Sequence, residues 1–489
     1  MTRASAYDSE TKTETIKTNL RRTSVIRPKV GVLALTLELY ETLAPELRRD
    51  REDWVKMQIL PVLDHRTHAL FERAVFRTDD LATVIAGFEA AGADALLVLL
   101  LSYSPSQVAL PALQRTRLPL VIWNTQELFA VSQHYGPVDL RNNHGVHGTQ
   151  DLANVLLRAD VRFHYVTSHA KDPNGLDELN DFFAAAAAVR RMRNAKIGLL
   201  GYPFPGMGDF AVDATHLQAT LGCSQTILTV EDYITRAAEA DAGAVAKLVA
   251  EYRETYDVAK DITSEDLEST ARVEMALRGM VADHRLSALT YQFLAFGDDE
   301  RTPTVPFVAA SRMMADGIGF GGEGDMIAAA ATSFLNWLHP PASFSEIFTI
   351  DFAGNSVLMS HMGEANVAMA RRDRKVPLVA RPTPITRTRD RQLALVTSFE
   401  PGPATFAALA QAPGGKWRLI VSSVAIEEFG PLPSLCVPHF KIKPAGDVRQ
   451  FLTDYANAGG PHHNMVCFGD ARRRLRFAAG LMGAEYVEI

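Results

Sequence analysis

The sequence predicts an α/β protein made of two doubly wound, Rossmann-like parallel-sheet domains followed by a mainly β C-terminal domain. Three observations carry that expectation. Apolar runs such as LLVLLL and PLVIW are too continuous for half-exposed strands and alternate with segments of helical spacing, as strands covered by helices on both faces should. The alternation begins again at Ala195 with KIGLLGY, which points to a second such domain. Past Pro340 the texture changes to short β-like pieces separated by Pro and Gly.

Taken in order, residues 1–27 are rich in Ser, Thr, Lys and Arg, and no apolar stretch follows Arg21-Arg22. They read as a disordered tail rather than an export signal. An N-terminal α/β domain over 28–193 follows, with strands in KVGVLAL, RAVFRT, ADALLVLLL, LPLVIWN and VRFHYVTSH. Helices are expected from Asp79 to Gly92 and through the alanine run of DFFAAAAAVRRMR. A central α/β domain over 194–340 uses KIGLLGY, QTILTV and SALTYQFLAF as strands. Its helices lie between Val230 and His284 and in VPFVAASRMMAD and MIAAAATSFLNWL. The C-terminal domain over 341–489 has strands in FSEIFTIDF, SVLMSHM, LALVTSF and KWRLIVSSV, with helices near Asp447 and Asp470. No internal repeat is evident.

Composition excludes several functions. The chain of 489 residues carries 50 basic against 57 acidic side chains, a net charge of −7, without the positive excess that phosphate backbones or anionic membranes attract. Nucleic acid is therefore not expected as a partner. The longest strongly apolar stretch, Ala95 to Leu101, falls far short of the ~20 residues needed to span a bilayer. Cys223, Cys436 and Cys467 are far apart with no CxxC spacing, so neither a disulfide framework nor a thiolate zinc site is expected, which fits a cytoplasmic protein.

The most unusual string is GIGFGGEGD, Gly317 to Asp325, which contains a literal GxGxxG. A dinucleotide fingerprint needs a strand before it, whereas VPFVAASRMMAD reads as helix, and Glu323 and Asp325 would bring negative charge toward a phosphate. Two other readings are open: a tight loop whose glycines only supply positive φ, and a close approach to a ligand that holds Glu323 at the start of the next helix, which gains weight only if more ligands follow. Further metal-type residues follow: Glu346 in FSEIFTIDF, His361 in SHM and the pair His462-His463 in GGPHHNM. Singly, each is an ordinary solvated carboxylate or hydrogen-bonded histidine. Together, two carboxylates and two imidazoles make a mixed N/O set for a divalent ion such as Mn²⁺ or Co²⁺.

Those strings, GFGGEGD, SFSEIFTIDF, VLMSHMGE and GGPHHNM, in that order, resemble the metal-site motifs of the L-arabinose isomerase family within the wider arabinose/fucose isomerase group. Weaker similarity runs through LELY near Tyr40, LLLSYSPSQ around Tyr103, NNHGVHGTQ around His147 and FPGMGDFAVD around Met207. The resemblance implies an aldose–ketose isomerase in which Glu323, Glu346, His361 and His463 bind a divalent cation. That ion is typically Mn²⁺, with Co²⁺ or Mg²⁺ as alternatives. Glu323 and Glu346 would double as acid/base residues, and His462 is the other choice for the second imidazole. It also implies a sugar pocket near Leu37, Leu39, Tyr40, Tyr103, His147, Met207, Thr290 and Phe293, and a hexamer in which His147 helps close a neighbouring subunit's site.

One departure bears on the substrate. The family presents Gln-His-Leu-Tyr after the first strand, where this chain has Leu37-Glu38-Leu39-Tyr40, so an amide has become an aliphatic side chain. Losing a hydrogen-bonding group changes discrimination among hydroxylated sugars, which puts L-arabinose itself in doubt. Two other readings use the same residues: a metal-dependent lyase, epimerase or hydrolase on another hydroxy-carbonyl compound, and a sugar-binding protein without catalysis. The sugar-binding reading gives no reason for a Glu/Glu/His/His set.

Overall fold

Continuous apolar runs become the middles of sheets. In the computed structural model, which describes residues 27–296, 299–381 and 391–489, the chain forms two compact units, Ile26–Arg190 and Arg191–Ile489. Residues 1–26, which include nearly all of the expected tail, lie outside the described residues, as do Gly297 and Asp298.

In the first unit the strands are β1 (Lys29–Leu35), β2 (His68–Leu70), β3 (Ala74–Val75), β4 (Ala95–Leu100), β5 (Leu120–Asn124) and β6 (Phe163–Thr167). They pair in parallel in the order β2-β1-β4-β5-β6, with β3 added on β1. All six residues of β4 are buried, which is why its sequence has no polar alternation. RAVFRT contributes only Ala74–Val75 as strand, because Phe76 already leads into the helix Thr78–Ala90.

The second unit opens with another parallel sheet built from β7 (Lys196–Leu200), β8 (Ser224–Leu228), β10 (Ala288–Tyr291) and β11 (Gly319–Gly321), in the order β11-β10-β7-β8. The SALTYQFLAF segment is strand only to Tyr291, and Phe293–Phe296 turns into a 3-10 helix. The GFG of the glycine string, expected as loop, is itself the edge strand β11. A Cβ at Gly319 would lie 2.4 Å from the Ser333 hydroxyl, and one at Gly321 would lie 2.6 Å from the Ala329 nitrogen. Only glycines let this strand press onto the helix Met326–Leu338. Every residue of that helix is buried, and it packs against both the parallel sheet and the β domain that follows, which accounts for its lack of a polar face.

The β domain is antiparallel and closed. Strands β12 (Ala342–Asp351), β13 (Ser356–Ser360), β16 (Gly402–Ala412), β17 (Lys416–Ile426), β18 (His439–Pro444) and β19 (His463–Phe468) run in the order β16-β19-β12-β13-β18-β17, and β17 pairs back onto β16. The closing strand β20 (Glu485–Glu488) lies parallel to β17. Phe406, Phe440, Ile442 and Val466 fill the interior. Closure removes the exposed strand edges that invite aggregation. A small separate sheet joins β9 (Asp257–Val258), β14 (Pro377–Ala380) and β15 (Leu393–Leu395).

Candidate metal centre

In open α/β sheets, ligand sites lie beyond the carboxyl ends of the parallel strands. Here the chain leaves β11 into Gly322–Asp325, immediately before the helix Met326–Leu338. Glu323 has φ 59° in the left-handed region, followed by Gly324 at 85°. For a residue with a Cβ that conformation costs ~1–2 kcal/mol, and such strain concentrates at functional sites. The loop is held from two sides. Phe204 N–H donates to the Glu323 carbonyl at 2.9 Å, and the Thr290 hydroxyl donates to the Gly321 carbonyl at 2.7 Å.

The barrel supplies the partners. His361 follows β13 directly, and His463 opens β19. Ligand atoms of Glu323, His361 and His463 all lie within 4.8 Å of one another, the one such grouping among the described residues. Both imidazoles are buried, at 3% and 2% exposure. Each is gripped at Nδ1 by a carboxylate: His361 by Glu364 at 2.7 Å, and His463 by Asp325 at 2.9 Å. Asp325 uses its other oxygen to cap the following helix, accepting from Ala328 N–H at 2.8 Å, so the helix start and the imidazole are fixed by one side chain. Glu364 also accepts the Tyr291 hydroxyl. Phe344 meets both rings edge-on, at 4.7 and 4.9 Å between centroids, and Phe210 stacks on His463 at 5.5 Å.

With Nδ1 committed, each ring turns Nε2 inward, and both Nε2 atoms are buried without a hydrogen-bond partner. Buried polar atoms left unpaired are rare and costly. Imidazoles tied at one nitrogen by a carboxylate, with the other nitrogen free beside a third carboxylate, are the arrangement that holds a divalent cation. The residues present therefore fit a metal ion.

Electrostatics follow the same geometry. Burial opposes ionisation of Glu323, but the neighbouring imidazoles of His462, His463 and His361 outweigh it and hold the carboxyl well below its ordinary range. The contacts involved, 3.4 Å to His463 and 4.0 Å to His462, are ion-pair distances rather than hydrogen bonds. Burial also works against a charged His463, yet Asp325 and Glu323 raise its pKa to about 9.

His462 takes a different place from its neighbour. Its Nδ1 lies 2.6 Å from Asp209, whose carboxylate also accepts the His462 backbone N–H at 3.0 Å. It stands at the edge of the centre rather than among the three grouped ligands. Glu346 sits on β12 directly opposite His463 on β19 and Ser360 on β13, a register that puts the Glu346 and His463 side chains on one face. Its carboxylate lies outside the 4.8 Å group. Thr290 is fully buried with its hydroxyl committed to the Gly321 carbonyl, just before the Glu323 loop, which makes it a support beneath the site. Phe293 packs 6.1 Å from Phe204, and Met207 N–H donates to the Phe204 carbonyl at 3.3 Å, so both stand beside the segment that holds Glu323.

Leu37, Leu39, Tyr40, Tyr103 and His147 belong to the first unit. There Tyr103 stacks on His147 at 4.8 Å, and His144, which sequence reasoning passed over, lies 4.4 Å from His147. Leu37 and Tyr40 are half-buried, and Leu39 is exposed. Asp209, Asp325, Phe344 and Glu364 were also missed. Asp325 and Glu364 stand two and three residues from proposed ligands, the only sequence signal they offer.

Gly322 is the glycine that the centre requires. A Cβ there would lie 2.6 Å from His361 Nε2, the atom turned toward Glu323 and His463. Gly322→Ala is expected to weaken Mn²⁺ binding about tenfold or more, read by isothermal titration, with the far-ultraviolet circular dichroism unchanged. Parent-like affinity would show that the ring yields without cost.

Residues 198–339 match the L-arabinose isomerase central domain, and residues 341–485 match the L-arabinose isomerase C-terminal domain. This chain belongs to the L-arabinose isomerase family. Its relatives include the L-arabinose isomerase of Acidothermus cellulolyticus, 28% identical over 410 residues that cover 79% of each chain. That of Nocardioides sp. is 28% identical over 399 residues, 79% of this chain and 78% of the relative. That of Geobacillus kaustophilus is 28% identical over 402 residues, 79% of each. At such identity the family member is a divergent one. No helix among the described residues is long and apolar enough to cross a membrane.

Proposed function

We propose that this chain, an aldose–ketose isomerase by family, is metal-dependent and acts on a free, unphosphorylated aldose through an enediol route. The observation that carries the reading is the convergence of Glu323, His361 and His463 with two inward Nε2 atoms unpaired. Glu323, His361 and His463 would hold the ion, with Glu346 completing the set from the opposite position on β12. A bound Mn²⁺, or Co²⁺ or Mg²⁺ in its place, would supply Lewis-acid stabilisation of negative charge developing on the sugar's O1 and O2.

The chain's own groups do the rest. Moving hydrogen between C1 and C2 needs a base that takes the C2 proton and returns it to C1, and a second group that passes a proton between O1 and O2. Glu323, kept ionised by its imidazole neighbours, is suited to accept a proton, and Glu346 is the second carboxylate. Phe293 packs against Phe204, whose backbone N–H holds the Glu323 carbonyl, so these residues brace the loop that carries Glu323. Leu37 in place of the family's glutamine leaves the sugar open.

The test is a panel of L-arabinose, D-galactose, L-fucose, L-ribose and other pentoses and tetroses, incubated with chelated and Mn²⁺-restored protein while ketose is followed by NMR. Mn²⁺-dependent ketose from any member is the expected result. No ketose from the whole panel, with metal stoichiometrically bound, would overturn the isomerase reading of the site.

A further inference from the structure

The loop that leaves β7, residues 202–213, meets the candidate centre twice. Phe204 holds the Glu323 carbonyl, and further along Asp209 and Phe210 reach the His462-His463 pair. One oxygen of Asp209 accepts the His462 backbone N–H at 3.0 Å and also lies 2.6 Å from Nδ1 of the same residue. The backbone has no need of the second contact. Asn464 donates to the His462 carbonyl at 3.3 Å, the Tyr455 hydroxyl donates to the Pro461 carbonyl, and β19 is paired on one side with β12 and on the other with β16. Gln411 on β16 ties the loop to the barrel by donating to the Ala211 carbonyl at 2.8 Å. What the contact at Nδ1 adds is the direction of the His462 ring.

That direction turns Nε2 toward Glu323. Nε2 stands 4.0 Å from Glu323 Oε2 and has no hydrogen-bond partner. Such a separation is too wide for a hydrogen bond and too narrow for an oxygen on the line between the two atoms. An oxygen set to one side can lie at hydrogen-bond distance, about 2.8 Å, from both. Side-chain exposure shows which side is open: it is 0% at His463 and 2% at His361, 12% at Glu323 and 31% at His462. His462 therefore stands on the open side of the centre, with the two proposed ligand imidazoles behind it. A hydroxyl suits the gap because it both donates and accepts, so the bridge forms wherever the ring carries its proton.

We infer that His462 Nε2 and Glu323 share a hydroxyl of the sugar, and that Asp209 is the positioning residue that turns the ring to meet it. The inference rests on the isomerase reading of the site and assigns His462 to the substrate rather than to the ion. The hydroxyl is one beyond O1 and O2, which the ion would hold, so the contact governs which aldose is bound and not how fast it reacts. Asp209 itself touches neither metal nor substrate, and no step of the isomerisation passes through Asp209 or His462.

The experiment measures initial rates at saturating Mn²⁺ on the sugar that the panel identifies, beside calorimetric titration with Mn²⁺, for the parent, Asp209→Ala, Asp209→Asn, His462→Phe and the double variant Asp209→Ala with His462→Phe. Circular dichroism checks that each is folded. His462→Phe, which keeps a ring and removes both nitrogens, and Asp209→Ala are each expected to raise KM about tenfold, with kcat and Mn²⁺ affinity within about threefold of the parent. Asp209→Asn, whose amide oxygen still accepts both N–H groups, is expected to recover most of the loss. The double variant is expected to be no worse than His462→Phe, because Asp209 acts through the ring already removed. A merely structural Asp209 would leave KM at the parent value, which overturns this inference alone. An Mn²⁺ affinity about tenfold weaker in His462→Phe makes His462 a ligand of the ion and overturns it too, as does a loss confined to kcat. A parent that makes no ketose from any sugar overturns the isomerase reading and this inference with it. Should Asp209→Ala not fold, His462→Gln against His462→Phe makes the comparison, since the glutamine amide returns a hydrogen-bonding group near the place of Nε2; equal KM values for the two overturn the inference.

Discussion

Glu323→Gln is expected to cut turnover at least about a hundredfold while leaving the fold intact, because general acid–base catalysis by a positioned side chain is typically worth ~10²–10⁴ in rate. The amide keeps the size of the side chain and takes away its negative charge. That charge lies 3.4 Å from His463 Nε2 and is held ionised by three imidazoles, so its loss removes a ligand and a proton acceptor together. Mn²⁺ affinity should fall with turnover. Glu346→Gln should separate the two effects, because its carboxylate lies outside the 4.8 Å group: turnover drops strongly, and metal affinity falls less than in Glu323→Gln. Initial rates on whichever sugar the panel identifies, measured at saturating Mn²⁺ beside a calorimetric titration, distinguish the cases. A Glu323→Gln variant retaining more than about a tenth of parent activity would remove Glu323 from the acid/base role.

Much of the candidate site was legible because its proposed ligands come from short, chemically distinctive strings. The glycines before Glu323 announce a backbone that must press close to something, and the neighbours prove to be the helix Met326–Leu338 and the His361 ring. The second layer was less visible. Asp325 caps the helix Met326–Leu338, and nothing in sequence says that its other oxygen orients an imidazole 138 residues away. Asp209 and His462 are brought together across 253 residues.

The fold shows the same division. Runs such as ALLVLL identify themselves as buried strands, since no other element needs so unbroken a stretch of branched apolar residues. The strand GPATFAALAQA does not, because alanine favours helix. Its strand state is imposed by pairing with β17 along its whole length and with β19 on the other side. Barrel closure is a property of those long-range pairings, which local patterns do not encode. That closure matters for the chemistry. Adjacent antiparallel strands β13, β12 and β19 set His361, Glu346 and His463 side by side on a rigid wall, while the parallel sheet presents Glu323 from a strained loop. A centre assembled between a rigid barrel and a sheet terminus keeps its geometry without a ligand to organise it.

The apparent affinity for Mn²⁺ is expected to rise about a hundredfold between pH 6.5 and 8.5, because one proton leaves His463 for each metal bound. The sign follows from the direction of the shift. In the metal-free protein Asp325 and Glu323 raise the His463 pKa from 6.5 to about 9, so the folded chain holds that proton more tightly than the unfolded one. The associated stability is fully present below pH 6.5 and is lost as pH rises through about 9. Metal binding needs the neutral imidazole, so its cost runs the other way and shrinks by about 1.4 kcal/mol per pH unit until the imidazole is deprotonated. Glu323, held far below this window, contributes no proton to the exchange. Thermal unfolding with and without saturating Mn²⁺ should therefore show a metal-induced increment that widens steadily across the range, while the metal-free unfolding temperature declines. An increment that stays flat, with binding otherwise tight, would mean that the proton released comes from no group in this centre, and His463 would lose its place as a ligand.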